Sequence, residues 1–342
     1  MTINAPSAMG LLYFAPLNIY GNHAFRHLLL RHFADMVFTE LILERDITFS
    51  SSPDKHDKLS IVAGDESRTI VQIAASEKES IEYMIDIINK RHPRVPEINL
   101  NMGCPQSSLV KRKLGCGLLL DEKALSMSAS ALVWSCRKRG LLPSVKLRLG
   151  PEKKIVRIDR YIDILKRSGI QKIYIHARTR GQSYHEPANY SSLKDIGSRQ
   201  KDISIVINGD IDGPDMACYL SRLTGIDDLM VGRAAMLDPF VFERIRVGDA
   251  SISSSRSFNP LKKDPYRKIL PDGSVGACAH KKEIILDFIS ISIRNDLPLD
   301  LAKRNLMMML KGITGIKPVL SEINAASSFD GIIASLNRHP FI

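Results

Sequence analysis

Cysteine is sparse and badly placed for cross-linking. The 342-residue chain holds five, Cys104, Cys116, Cys136, Cys218 and Cys278, with no C-x-x-C pair and no cysteine–histidine ligand pattern. Neither a disulfide framework nor a metal site is therefore expected. No apolar run approaches the ~18 residues of a membrane helix, and MTINAPSAMG carries no basic segment leading into an apolar one. A cytoplasmic protein without membrane attachment is expected. No strand-like run is followed by G-x-G-x-x-G or G-x-x-x-x-G-K, and Gly115-Cys116-Gly117 is too short to count, which disfavours a doubly wound nucleotide-binding sheet.

Acidic residues are scarce in one region. Between Pro105 and Arg160 four of them face thirteen lysines and arginines, whereas Asp264 to Ile342 is nearly balanced at eight against ten. The net charge of +11 is therefore concentrated, and a polyanion is expected to approach that region. A solvated surface would explain the total charge, but less readily its position.

What is present is a repeated alternation of short apolar runs and helical patterns. Leu11–Pro16, Asp35–Leu41, Thr69–Ala74, Glu97–Asn101, Pro143–Leu147, Lys172–His176, Ile203–Asn208 and Asp228–Val231 read as eight strands. Helical stretches fall between them. Ala24 to His32 puts Phe25, Leu28, Leu29 and Phe33 on one face, and Ser76 is expected to cap a helix from Glu77 to Asn89. Eight βα units over about 240 residues predict a (β/α)8 TIM barrel. Beyond it, the Ser-rich Ser251–Lys263 reads as a linker, and His280–Ile293, Asp300–Lys311 and Val319–Leu336 read as amphipathic helices. The expected organisation is a barrel over 1–246, a linker over 247–263 and a smaller C-terminal helical domain over 264–342.

The densest signal is EINLNMGCPQSSLVKRKLGCGLLL, from Glu97 to Leu120. It reads as a buried strand, a tight loop, a basic loop and the start of an apolar helix. Gly103 allows positive φ, and Pro105 forbids a further ladder bond, so Cys104 is expected at the carboxyl end of a strand, where barrels place their ligands. A free cysteine is often only a small buried hydrophobe, yet one wedged between glycine and proline on a rim loop is poorly placed to fill a core. The other strand ends add Gln72, Asn101, Lys146, Arg148, His176 and Asn208-Gly209-Asp210. Singly each has a structural explanation; jointly they describe a polar pocket, with Gly209, Gly232 and Arg233 at the last two strands suited to a phosphate. A phosphorylated ring cofactor is expected.

INLNMGCPQSSLVKRKLGCGLLL, VKLRLG, IHARTRGQSY, NGDID and VGRAAMLDPFVF, in that order and spacing, resemble the tRNA-dihydrouridine synthase family of FMN-dependent reductases. APLNIYGNHAFR keeps that family's spacing from Ala-Pro to Phe-Arg but carries Asn18-Ile19 and Gly21-Asn22 where the family has small residues and then Thr-Asp. The resemblance implies that NADPH (or NADH) reduces bound FMN, and that hydride passes to C6 of a flipped-out uridine in RNA, with tRNA the expected partner, while a cysteine protonates C5. Carried over residue by residue, it makes Cys104 the catalytic acid. It makes Ala15, Pro16, Leu17, Gln72, Lys146, His176, Asn208, Gly209, Asp210, Gly232 and Arg233 cofactor contacts, and Asn101, Arg148 and Arg178 substrate contacts. The readings left beside it are action on ribosomal RNA, an FMN barrel reductase of a small molecule (dihydroorotate dehydrogenase-like or ene-reductase-like), and a barrel that binds RNA without turnover.

Overall fold

The computed structural model describes residues 10–32, 34–48, 57–248, 275–313 and 315–339, the side chains of 275–280 excepted. Phe33, the Ser251–Lys263 linker and the side chain of Cys278 lie outside the described residues. The strands are β1 (Leu12–Phe14), β2 (Met36–Phe38), β3 (Ile42–Leu43), β4 (Thr69–Ala74), β5 (Glu97–Met102), β6 (Leu142–Arg148), β7 (Lys172–His176), β8 (Ser204–Asn208) and β9 (Leu229–Val231). All pair in parallel, in the order β2-β1-β9-β8-β7-β6-β5-β4-β3, and a β2–β4 pairing closes the ring. This is the expected barrel. Helices cover its outside.

The second strand is not the continuous Asp35–Leu41 run of the sequence reading. Val37 and Phe38 pair with Thr69 and Ile70, while Ile42 and Leu43 pair with Ile73 and Ala74. Three residues, Thr39 to Leu41, therefore lie opposite Val71 and Gln72, a bulge that splits one barrel strand into β2 and β3. The Thr39 hydroxyl replaces the missing backbone acceptor by taking the Gln72 N–H at 3.0 Å. The bulge turns Glu40 toward the loop after β1, where its carboxylate accepts the Ile19 N–H and holds that β-branched residue at φ 74°.

Apolar side chains fill the space between barrel and helices. Asn22 caps the His23–Arg31 helix by accepting the Phe25 N–H at 3.0 Å, and Phe25, Leu28 and Leu29 face inward with no exposure. Asp121 caps Glu122–Arg137 in the same way, through Lys123 and Ala124. Two other caps differ from expectation. Glu77, not Ser76, is the N-cap of Lys78–Arg91 and makes no side-chain cap bond, while Val319–Leu336 is two helices, Lys317–Ala325 and Phe329–Arg338, because Ser328 starts a new one by accepting the Gly331 N–H.

Inside the barrel, Tyr13, Phe38 and Tyr174 pack edge to face beneath the site, with ring centroids 5.4 Å and 4.9 Å from Tyr174. A buried ion pair joins them: Lys172 Nζ lies 3.1 Å from Glu97, whose other oxygen accepts the Tyr174 hydroxyl at 2.8 Å. Removing either partner would strand the other charge at a cost of about 3–5 kcal/mol. The C-terminal helices pack on this body. Phe288 of Val275–Arg294 meets Phe25 edge to face at 5.9 Å, and Asn305 of Leu299–Met309 accepts a bond from Asn22 at 2.7 Å and donates to Tyr20 O at 3.0 Å. Among the described residues, no helix is long and apolar enough to cross a membrane.

Candidate active site

The carboxyl ends of β4 to β9 converge on one polar mouth. At its floor three amides form a chain running one way: Asn101 Nδ2 donates to Gln72 Oε1, Gln72 Nε2 to Asn99 Oδ1, and Asn99 Nδ2 to Ser144 Oγ, each at 2.8 Å. Each bond polarises the next. At the upper end Asn101 Oδ1 accepts two backbone N–H groups, from Gly103 at 3.1 Å and Cys104 at 2.9 Å. The chain thus fixes the loop that carries Cys104. Gln72 and Asn101 lie where a cofactor and a substrate contact were expected, but much of their hydrogen-bonding capacity is used inside the protein.

Cys104 is partly exposed and braced from both sides. Arg148 donates from Nε to Gly103 O at 3.1 Å, and Cys116 donates its N–H to Cys104 O at 2.9 Å. Gly103 does not use the positive φ that a glycine allows. What it needs is room, because an added Cβ would lie 3.3 Å from the Leu147 backbone. Positive φ belongs to Gly115, at 56°, where a Cβ would come within 2.7 Å of Cys104 O. A short helix, Ser107–Lys111, leads into the basic stretch, with Arg112 as its C-cap and Lys113 at φ 56°, and Gly115–Leu120 is a 3₁₀ turn that buries Cys116 completely. Burial pushes the Cys116 thiol up to about 12, so this sulfur is inert at neutral pH.

Across the mouth, Lys146 Nζ donates to Asn208 Oδ1 at 3.0 Å, and Asn208 Nδ2 to Met230 O at 2.7 Å. Desolvation, and next the neighbouring Arg148, push the Lys146 ammonium down to about 7. Burial, then Lys146 and the surrounding arginines, hold His176 well below its usual value, so its ring is neutral. Its tautomer follows from its partner: Arg178 Nη1 lies 3.2 Å from His176 Nε2, and a guanidinium only donates. Nε2 accepts, the proton sits on Nδ1, and the mouth gains a neutral donor.

Arg148 and Arg178 were expected to touch substrate. Both are buried, and the protein uses most of their donors: Arg148 also binds Thr179 O and Gln182 O, and Arg178 binds Glu186 O and the Asp210 carboxylate. Asp210, at φ 45°, takes Arg178 on one oxygen and Arg233 on the other, each at 2.6 Å. Its carboxylate is therefore an arginine clamp that aims Arg233. Sequence reasoning missed Tyr184. Its half-exposed ring lies 5.0 Å from the Arg233 guanidinium carbon, 5.4 Å from that of Arg148 and 5.8 Å from that of Arg178, and it stacks on His176 at 5.9 Å. The available signal was an aromatic in an arginine-rich loop just after a strand.

The remaining expected positions line the far side. Ala15 is buried and donates its N–H to Val231 O at 2.8 Å, with Pro16 and Leu17 partly exposed beyond it. Gly209, at φ 125°, lies so close to His176 that a Cβ would be 3.1 Å from its ring. Gly232 is open, since a Cβ there would meet only Ala15, at 3.5 Å. An unobstructed backbone beside Arg233, a lysine whose charge is poised near neutrality and a neutral imidazole fit a phosphorylated ring system. Among the described residues, no cluster of three His, Cys, Asp or Glu side chains is arranged for a metal ion.

The profile of the dihydrouridine synthase (Dus) family matches residues 13–265, which takes in all of these positions. The chain belongs to the dihydrouridine synthase family. Its relatives include the tRNA-dihydrouridine synthase B of Shewanella oneidensis, 28% identical over 235 residues, which are 69% of this chain and 70% of that protein. The probable tRNA-dihydrouridine synthase of Helicobacter pylori is also 28% identical, over 236 residues and the same shares. Among solved structures, a 2-naphthoyl-CoA reductase in complex with 2-naphthoyl-CoA superposes with a TM-score of 0.50 at 12% identity, over 69% of this chain and 50% of that one. That likeness concerns the barrel alone. Within the dihydrouridine synthase family, the Asn18-Ile19 and Gly21-Asn22 departures have structural partners here: Asn18 Oδ1 accepts the Leu41 N–H at 3.2 Å, and Asn22 reaches Asn305.

Proposed function

We propose that this chain reduces uridines in tRNA to 5,6-dihydrouridine. The observation that carries this reading is Cys104, presented on a loop fixed by Asn101, Arg148 and Cys116 at the mouth of a polar pocket, in a chain of the dihydrouridine synthase family. FMN, when bound and reduced by NADPH or NADH, would supply the hydride for C6 of the base. The residues named above would hold it: the Gly232-Arg233 backbone and the Arg233 guanidinium at the phosphate, and Lys146, Asn208 and His176 at the ring edge.

The chain's own part is proton delivery and positioning. Cys104 Sγ gives its proton to C5 as that carbon gains the electron pair of the reduced double bond, and the resulting thiolate is reprotonated from solvent. Arg148, whose hydrogen bonds to Gly103, Thr179 and Gln182 run from Nε and Nη1, would turn its remaining Nη2 donor to a uracil carbonyl, and Tyr184 would offer a flat face for the base. Lys111, Arg112 and Lys113, exposed and free of ion pairs among the described residues, stand beside the Cys104 loop and suit phosphates. They favour RNA over a small-molecule substrate. We extend the proposal to the organisation of the chain, with the barrel as catalytic domain and the helices after 264 as an RNA-binding domain.

The test is direct. Purified protein should be yellow, release one FMN on denaturation, and form dihydrouridine in unmodified tRNA when given NADPH. A colourless protein that cannot be reconstituted with FMN, or a flavoprotein that leaves tRNA unchanged, overturns the reading.

A further inference from the structure

The loop after β6 is built more firmly than a mere connection requires. Glu152 and Ile155 pair across a two-lysine turn, Ile155 donates its N–H to Glu152 O at 3.0 Å, and Arg157 donates its N–H to Leu149 O at 2.8 Å. The loop after β7 braces it from the side: Arg180 donates to Gly150 O at 2.9 Å and to Pro151 O at 2.6 Å, and Lys153 pairs with Glu186 at 2.6 Å. Gly150 and Gly181 permit this close approach, since a Cβ at Gly181 would lie 2.8 Å from Lys153 N. Yet the rigid tip presents Ile155 and Val156 to solvent, 37% and 40% exposed. Lys154 and Arg157 flank them, exposed and without an ion pair among the described residues.

We propose that the Ile155–Val156 tip is an apolar wedge that packs against the RNA bases bordering the target uridine, with Lys154 and Arg157 on the adjoining phosphates. The inference rests on the reading of the chain as a tRNA-acting enzyme. The floor of its site is recessed, with Asn101, His176 and Arg178 all buried, so a base reaches Cys104 only after leaving its stack. Its departure uncovers the faces of the neighbouring bases at the cost of their stacking. Apolar side chains inserted there offset part of that cost. The tip begins five residues beyond Gly150, in the loop that leaves the same strand end as Lys146 and Arg148, and its flanking cations match a polyanion rather than an apolar protein face.

The experiment compares full-length wild type, Ile155→Ser/Val156→Ser and Lys154→Ala/Arg157→Ala on a transcribed pool of unmodified tRNA, measuring affinity across a salt series. The serine pair should weaken binding about tenfold with an unchanged log–log salt slope, because no phosphate contact is removed. The alanine pair should flatten that slope by about 1.5. Serine variants that bind and turn over like wild type overturn the wedge and leave the enzyme reading intact. A serine pair that instead converts a dimer to a monomer in sedimentation assigns the tip to a second copy of this chain, which also overturns it. If wild type binds no tRNA at all, both readings fall.

Discussion

Replacing Lys146 with methionine should change how stability depends on pH. Its folded-state value, pushed down from 10.5 to about 7 by desolvation and then by Arg148, lies below that of the unfolded chain. Between the two values the unfolded chain holds a proton that the folded chain has lost, so stability rises with pH across that window, and the penalty is fully present below about 7. At about 1.4 kcal/mol per pH unit the whole difference has a ceiling of about 5 kcal/mol. The side chain as a whole is only partly buried, and relaxation around it reduces this to about 2–3 kcal/mol. Urea unfolding of flavin-free protein at pH 6.5, 8 and 9.5, wild type against Lys146→Met, isolates the effect because other titrating groups cancel. Wild type should gain about 2 kcal/mol relative to the variant over that range, on top of a constant offset from the lost bond to Asn208. A difference that stays flat with pH would refute the desolvated amine.

Three further outcomes are expected. Cys104→Ala should retain FMN and its reduction by NADPH but lose dihydrouridine formation by about 10²- to 10⁴-fold, whereas Cys116→Ala should cost about 1 kcal/mol of stability with turnover largely kept; single-turnover assays and urea melts separate the two. Gly115→Ala should lose about 1–2 kcal/mol from its left-handed backbone and also slow turnover, since the new Cβ presses on Cys104 O; a variant with wild-type turnover would show that the brace is dispensable. Neutralising Lys111, Arg112 and Lys113 together should lower the log–log salt slope of tRNA binding by about 2, and an unchanged slope would leave them as a solvated surface.

The barrel was legible because parallel strands buried on both faces appear as short apolar runs, and TIVQIA and KIYIH are bounded as expected. The bulge at Thr39–Leu41 was not, since an extra residue in a strand leaves no trace in hydrophobicity. Nor was the break at Ala326–Ser328, where one serine hydroxyl decides between one helix and two. In the site, residue types at strand ends identified the mouth but not how its donors are spent. Asp210 was expected as a cofactor contact, but its hold on two arginines could not be read, because that pairing depends on side chains from three different loops. Tyr184 carried no periodicity to single it out.

The contact between Asn22 and Asn305 bears on how this chain could be recombined. A shuffled or truncated protein ending near Val247 would uncover Phe25 where Phe288 now covers it and leave the amide that caps the first barrel helix without its partner. The C-terminal helices are therefore not an interchangeable cassette. A graft from a relative would have to bring matching side chains at both 288 and 305, or its host barrel would have to be redesigned along the His23–Arg31 face.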